Sequence, residues 1–184
     1  MSYRIFQNKT VLITGHTGFK GSWLSMWLKS LGAKVIGVAL DPPSQPSHFE
    51  VAGLLEILDD NQLDIRDRDA LKKMVSQIQP DFVFHLAAQA LVRKSYNDPI
   101  ITYQTNTLGT LNLLEALRPL KKKCTVVLIT SDKCYNNVEW VWGYRETDAL
   151  GGPDPYSASK GAAELVIRSH VKSFFPKDGP IRIA

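Results

Sequence analysis

Short apolar runs alternate along the chain with longer stretches in which apolar residues recur every three to four positions. The first pattern reads as buried strands, the second as helices with one packed face. Thr10 to Thr14 (TVLIT) is a strand that stops at a glycine. From Gly18 to Leu31, residues Trp23, Leu24, Trp27, Leu28 and Leu31 are spaced as one helical face, and Gly32 stands where a C-cap is expected. Val35 to Leu40 (VIGVAL) is a second strand, closed by Asp41 and two prolines, and Pro42 to Gly53 reads as a loop with at most a short helix. A weaker third strand lies near Glu56 to Ile65. Asp67 to Ile78 is amphipathic through Leu71, Met74, Val75 and Ile78, with Asp67 as its N-cap. Asp81 to Leu86 is the fourth strand, Pro99 to Leu117 a long helix and Thr125 to Thr130 (TVVLIT) the fifth strand. Tyr156 to about Phe174 is another helix, and Ile181 to Ala184 begins a further strand.

This alternation predicts βαβ units and an α/β fold, a doubly wound parallel sheet of the Rossmann type with helices on both faces. Such sheets commonly hold six strands in the order 3-2-1-4-5-6. The chain is therefore read as one domain, residues 1–184, truncated at the start of the sixth strand.

Composition narrows the picture by exclusion. Lys plus Arg is 22 and Asp plus Glu is 18, a net charge of +4. That is too mild and too scattered for a nucleic-acid or membrane surface, and the one basic run, Lys121 to Lys123, reads as a solvated loop. Two cysteines, Cys124 and Cys134, cannot build a disulfide framework or a four-ligand zinc site, so no metal is expected. The longest apolar stretch, Asp81 to Val92, is broken by His85 and Gln89 and is too short to span a bilayer. No apolar signal core precedes the first strand, so the expectation is a reduced, cytoplasmic protein.

The first strand runs into Gly15-His16-Thr17-Gly18-Phe19-Lys20-Gly21, a GxxGxxG spacing at a strand-to-helix turn. Glycines suit that turn because it is tight, because the backbone must approach a pyrophosphate, and because the helix must pack close to the strand. The N-terminus of the next helix offers free N–H groups to the phosphates. His16 and Lys20 are either polar groups near those phosphates or solvent-facing. Asp41, at the end of strand two, is placed to bind the adenosine ribose hydroxyls and to repel a 2′-phosphate, which favours NAD over NADP; the alternative is a loop aspartate capping a turn.

Tyr156 and Lys160 stand at i and i+4 in YSASK, on one helical face. A phenol titrates near pH ~10, and an adjacent ammonium favours its anion, so the pair suits removal of a proton from a sugar hydroxyl. Thr130-Ser131-Asp132-Lys133 closes strand five, at the sheet edge where ligands bind in such folds. Ser131, Asp132 and Lys133 are a candidate acid/base set, or else a turn cap beside a surface ion pair. Cys134 reads as a packed residue, and His85 as a satisfied buried histidine rather than a base. Asn106, inside a helix, either binds a buried group near the Tyr/Lys pair or lies on the polar face.

With those residues in view the chain resembles the extended short-chain dehydrogenase/reductases. GHTGFKGSW (15–23), HLAAQALVRKSYNDP (85–99), TSDKCYNN (130–137), EWVWGYRE (139–146) and GGPDPYSASKGAAELV (151–166) resemble the CDP-glucose 4,6-dehydratase family closely. The resemblance implies NAD as cofactor, CDP-glucose as substrate and a homo-oligomer. It implies that Tyr156 takes the 4-hydroxyl proton, that Lys133 takes the carbon 5 proton, that Asp132 protonates the departing 6-hydroxyl, and that Ser131 bonds the 4-oxygen. Lys160 would assist Tyr156 and hold the nicotinamide ribose. The cofactor set it implies adds Asp64 and Ile65 at the adenine, and Leu86, Ala87, Ala88, Gln89, Asn106 and Thr130 along the dinucleotide. Relatives usually carry Asp-Glu where this chain has Asp132-Lys133, and family members are about twice as long. An epimerase or reductase of the same fold, or a cofactor-binding fragment, are the competing readings.

Overall fold

A computed structural model of the chain describes residues 3–184. Six strands, β1 (Thr10–Thr14), β2 (Lys34–Ala39), β3 (Asp59–Gln62), β4 (Phe82–His85), β5 (Cys124–Leu128) and β6 (Ile181–Ile183), form one sheet in the order β3-β2-β1-β4-β5-β6. Every neighbouring pair is parallel, as the alternation of strand and helix patterns requires. Strand periodicity divides the core between the two faces. Leu12 packs with Val83, Val126, Leu71, Leu113 and Leu117 on one face, while Val11 and Ile13 pack with Val35 and Leu28 on the other.

The helices are α1 (Phe19–Ser30), α2 (His48–Val51), α3 (Arg68–Ile78), α4 (Val92–Asn97), α5 (Pro99–Tyr103), α6 (Gly109–Leu117) and α7 (Pro155–Phe174). Asp67 caps α3 by accepting from Ala70 N, and Leu71 and Val75 are its buried residues, as the amphipathic pattern predicts. The face of α1 differs from the expectation. Trp23 and Trp27 are about half exposed, and the buried residues are Gly21, Ser22, Ser25 and Leu28. Small residues let this helix sit directly on the turn below it, where a Cβ at Gly21 would collide with the Gly15 carbonyl. Trp23 stacks instead on His48 of α2, with ring centroids 4.3 Å apart.

Three further departures bear on the site. The 99–117 helix is real but interrupted by a π-helical turn, Gln104–Leu108, between α5 and α6. The short α4 falls where no element was expected; it has no side-chain N-cap and is too brief to show a period. β5 ends at Leu128, so Ile129 and Thr130, which the sequence pattern placed in the strand, lie beyond its observed end.

Candidate active site

The carboxyl ends of β1 and β4 are stitched together by polar bonds. Thr110 Oγ1 donates to the Asn106 carbonyl (2.7 Å) and therefore accepts from His85 Nε2 (3.1 Å). His85 Nδ1 then accepts from Thr14 Oγ1 (2.6 Å), and that oxygen accepts from Ala87 N (3.2 Å). His85 is a satisfied buried histidine, and burial pushes its pKa down to about 3, with the Lys160 charge adding to the effect.

This stitching brings Leu86 and Ala87 against the glycine turn. Gly15 has φ +77°, and a Cβ there would lie 2.7 Å from Ala87 N and 2.9 Å from the Leu86 carbonyl carbon. Gly18 is the N-cap of α1 and no side chain caps the helix, which leaves first-turn N–H groups for an anion. Thr17 Oγ1 donates to Leu40 O (2.9 Å), which fixes the turn to the end of β2. Phe19 and Lys20 are exposed beside it. The His16 side chain is fully buried rather than solvent-facing: it packs under Gly37 and its Nε2 lies 2.7 Å from Asp60 Oδ1. The sequence offered no signal for that contact, because β3 is polar throughout.

Asp41 is exposed at the end of β2, and its Oδ1 accepts from Gln62 Nε2 (2.8 Å). Asp64 holds Arg66 through both carboxylate oxygens, and the bonds from Arg66 keep its carboxyl below the usual range despite partial burial. Ile65 is buried against Gly109 of α6. Gln89 N donates to Asn106 Oδ1 (2.8 Å), and Asn106 Nδ2 donates to Gln89 O (3.0 Å) and Ser159 Oγ (2.9 Å). Asn106 thus binds buried groups beside the Tyr/Lys helix, from the π-helical turn, and is 1% exposed. Ala88 lies half-buried between Ala87 and Gln89.

Asp154 caps α7 by accepting from Ser157 N (2.9 Å) and Ser157 Oγ (2.6 Å), and Pro155 opens the helix. Tyr156 and Lys160 follow one turn apart, both buried. The Tyr156 N–H donates to Ser95 Oγ of α4 (3.2 Å), a contact the sequence did not announce. Burial pulls the Lys160 ammonium below the ordinary lysine range, against the opposing charge of Glu164.

Asp132 and Lys133 open a 3-10 turn, Asp132–Cys134, with Ser131 as its N-cap, and the turn packs against α7. A Cβ at Gly161 would come within 3.0 Å of the Cys134 carbonyl, so turn and helix are in contact. Ser131 Oγ accepts from Lys133 N (3.2 Å) and donates to Asp132 Oδ1 (3.1 Å), so it caps the turn. Asp132 and Lys133 are exposed, and no ion pair joins them among the described residues. Cys134 is packed, and burial raises its thiol above the ordinary range. Thr130 Oγ1 donates to Glu164 Oε1 (2.5 Å), which the sequence reading did not foresee.

The geometry therefore gathers a glycine turn, a pinned loop after β4, a buried Tyr/Lys pair and a polar turn at one end of a parallel sheet. Among the described residues no helix is long and apolar enough to cross a membrane.

Residues 12–175 match the GDP-mannose 4,6 dehydratase family. A CDP-glucose 4,6-dehydratase of Salmonella typhimurium is 54% identical over 170 residues, covering 92% of this chain and 47% of that protein. A dTDP-glucose 4,6-dehydratase of Shigella flexneri is 30% identical, covering 89% of this chain and 51% of that one. A UDP-glucose 4-epimerase of Thermus thermophilus, solved in complex with NAD, superposes with a TM-score of 0.76 at 30% identity, over 90% of this chain and 51% of that one. The chain spans about half the length of the curated relatives it matches. On the extent of the family match and the sheet order it shares with dinucleotide-binding folds, the chain belongs to the GDP-mannose 4,6 dehydratase family of extended short-chain dehydrogenase/reductases.

Proposed function

We propose that residues 1–184 are the NAD-binding domain of an enzyme that dehydrates CDP-glucose to CDP-4-keto-6-deoxyglucose. The observation that carries this reading is the 54% identity to a CDP-glucose 4,6-dehydratase over 170 residues, a span long enough to take in the glycine turn, the polar turn and the Tyr/Lys helix. The residues present suit the cofactor: the turn is bare of side chains at Gly15 and Gly18, and the uncapped start of α1 offers N–H groups to a pyrophosphate. Gly15, His16, Thr17, Gly18, Phe19, Lys20 and Gly21 form the phosphate side, with the His16 ring acting from beneath. Asp41 receives the adenosine ribose, and Asp64 and Ile65 border the adenine. Leu86, Ala87, Ala88, Gln89, Asn106 and Thr130 line or support the nicotinamide half.

NAD, held by the Gly15–Gly21 turn and by Lys160, would supply the hydride acceptor for carbon 4 and the hydride donor for carbon 6. Tyr156 removes the proton of the 4-hydroxyl, and the neighbouring Lys160 ammonium favours the phenolate while binding the nicotinamide ribose. Ser131 turns its hydroxyl from the turn cap to the 4-oxygen. The 4-ketone acidifies the carbon 5 proton, which Lys133 takes, and Asp132 gives a proton to the 6-hydroxyl, which leaves as water; Lys133 returns its proton to carbon 5 as carbon 6 is reduced. A lysine becomes a base when it is desolvated or set beside another cation. Lys133 is exposed in the chain alone, so closure of the substrate over it supplies that condition.

The exposed apolar side chains Ile100, Tyr103, Leu108 and Leu165, on α5, the π-helical turn and α7, support a homo-oligomer. The product belongs to the deoxysugar precursors of lipopolysaccharide, made in the cytoplasm. The test is product analysis after incubation with CDP-glucose and NAD, for the 184-residue chain and for a form extended to the length of its relatives. A 4-keto-6-deoxy sugar nucleotide from the extended form supports the reading; a sugar inverted at carbon 4 replaces it with an epimerase.

A further inference from the structure

Tyr156 and Lys160 are followed by a third polar residue on the same line of α7, Glu164, one turn beyond the lysine. The reaction outlined above makes no use of it. Its carboxylate is nevertheless fixed: the Thr130 hydroxyl, just past β5, donates to Oε1. Thr130 is the residue before Ser131, so this bond ties the proton-transfer helix to the root of the Ser-Asp-Lys turn.

Lys160 is 6% exposed and has no hydrogen bond or ion pair among the described residues. A buried ammonium without a counter-charge loses its proton. The groups around it leave one source of that charge. His85, from the end of β4, is held neutral by burial. Cys134, from the 3-10 turn, is raised by burial and stays a neutral thiol near pH ~7. The hydrogen bonds that α4 and the π-helical turn make to this part of α7 come from Ser95, Asn106 and Thr107, all uncharged. Glu164 is the strongest influence opposing the burial of Lys160. Arg168 and Lys172 are the cations that line the same cleft as Glu164, of about 380 Å³, and Glu146 is a second carboxylate there.

We propose that Glu164, clamped by the Thr130 hydroxyl to the end of β5, is a positioning residue that holds Lys160 as an ammonium beside Tyr156. The role rests on the functional reading above, in which that ammonium assists the phenol. It also explains why the anion is anchored to the strand carrying Ser131: a carboxylate free to swing toward Arg168 would leave the lysine to deprotonate.

The experiment reads the titration of Lys160 itself, in the 184-residue chain labelled with 13C,15N-lysine. Cε–Nζ correlation spectra are recorded against pH, and the Lys160 signal is assigned by its loss in Lys160→Gln. Glu164→Gln keeps the shape and an acceptor for Thr130 but removes the charge; the Lys160 midpoint is expected to move to lower pH while the exposed lysines stay put. Thr130→Val keeps the charge but frees the carboxylate, and a smaller shift in the same direction is expected. A Lys160 midpoint that is unmoved or raised in Glu164→Gln overturns the proposal, and an unmoved midpoint in Thr130→Val overturns the clamp. Neither readout needs a bound cofactor: failure to bind NAD rejects the functional reading, whereas an unmoved midpoint rejects this one.

Discussion

Asn106 Nδ2 donates to Ser159 Oγ across 2.9 Å, joining the π-helical turn to the helix that carries Tyr156 and Lys160. The same side chain holds both backbone groups of Gln89. Asn106→Ala leaves the Gln89 N–H and C=O buried without partners, at a cost of about 3 kcal/mol. Urea unfolding of the variant checks this, and a loss below about 1 kcal/mol would show that the bridge is dispensable.

The glycine turn carries both a conformational and a steric demand at Gly15, where φ is +77° and a Cβ would meet Ala87 N. At Gly53, also at positive φ (+62°), an added Cβ would have nothing within 4 Å. Gly53→Ala should therefore cost about 1 kcal/mol, the strain of a left-handed alanine alone. Gly15→Ala should cost clearly more, about 3 kcal/mol, because the loop after β4 must also move. Chemical denaturation of the two variants side by side gives the difference, and equal losses would contradict the close approach.

His85 makes stability pH-dependent. Its folded pKa is about 3, held down by burial. An unfolded histidine takes up its proton near pH ~6.5, so below that pH the unfolded chain binds more protons than the folded one. The stabilisation is complete above about pH 6.5 and is lost as pH falls toward 3, by up to about 5 kcal/mol. Urea midpoints measured from about pH 7.5 down to 4.5 should fall in the native protein and flatten in His85→Gln.

In the proposed dehydration Asp132 and Lys133 are the acid and base of the elimination, which an epimerase does not need. Lys133→Met should leave NAD affinity within about twofold and slow dehydration at least about 100-fold, the scale of a lost general base. Calorimetry with NAD and single-turnover product formation in the extended form separate the two effects. Unchanged turnover removes Lys133 from the reaction.

Much of this was legible in the residues themselves. Leu12 and Ile13 are apolar in unbroken succession because β1 is central and buried on both faces, so the strand was read with its observed bounds. The parallel pairing followed from the alternation, since parallel neighbours need helical crossovers, and the strand order from the doubly wound class that this alternation indicates. The tryptophans of α1 misled because hydrophobicity marks a face without saying what lies against it. Here close packing of glycine and serine on the turn won, and Trp23 found His48 instead. At the site, spacing within one element was readable, as with Tyr156 and Lys160. Bonds between distant segments, such as His16 to Asp60 and Thr130 to Glu164, were not, because they depend on tertiary approach and leave no local period.

A crystal structure of the protein with NAD tests the central claim most directly. The account predicts the pyrophosphate on the N–H groups of the Gly15–Gly21 turn and the nicotinamide ribose within hydrogen-bond reach of Lys160, with Tyr156 facing the ring. A pyrophosphate seated elsewhere, a nicotinamide beyond reach of both side chains, or no bound cofactor at saturating NAD would contradict it.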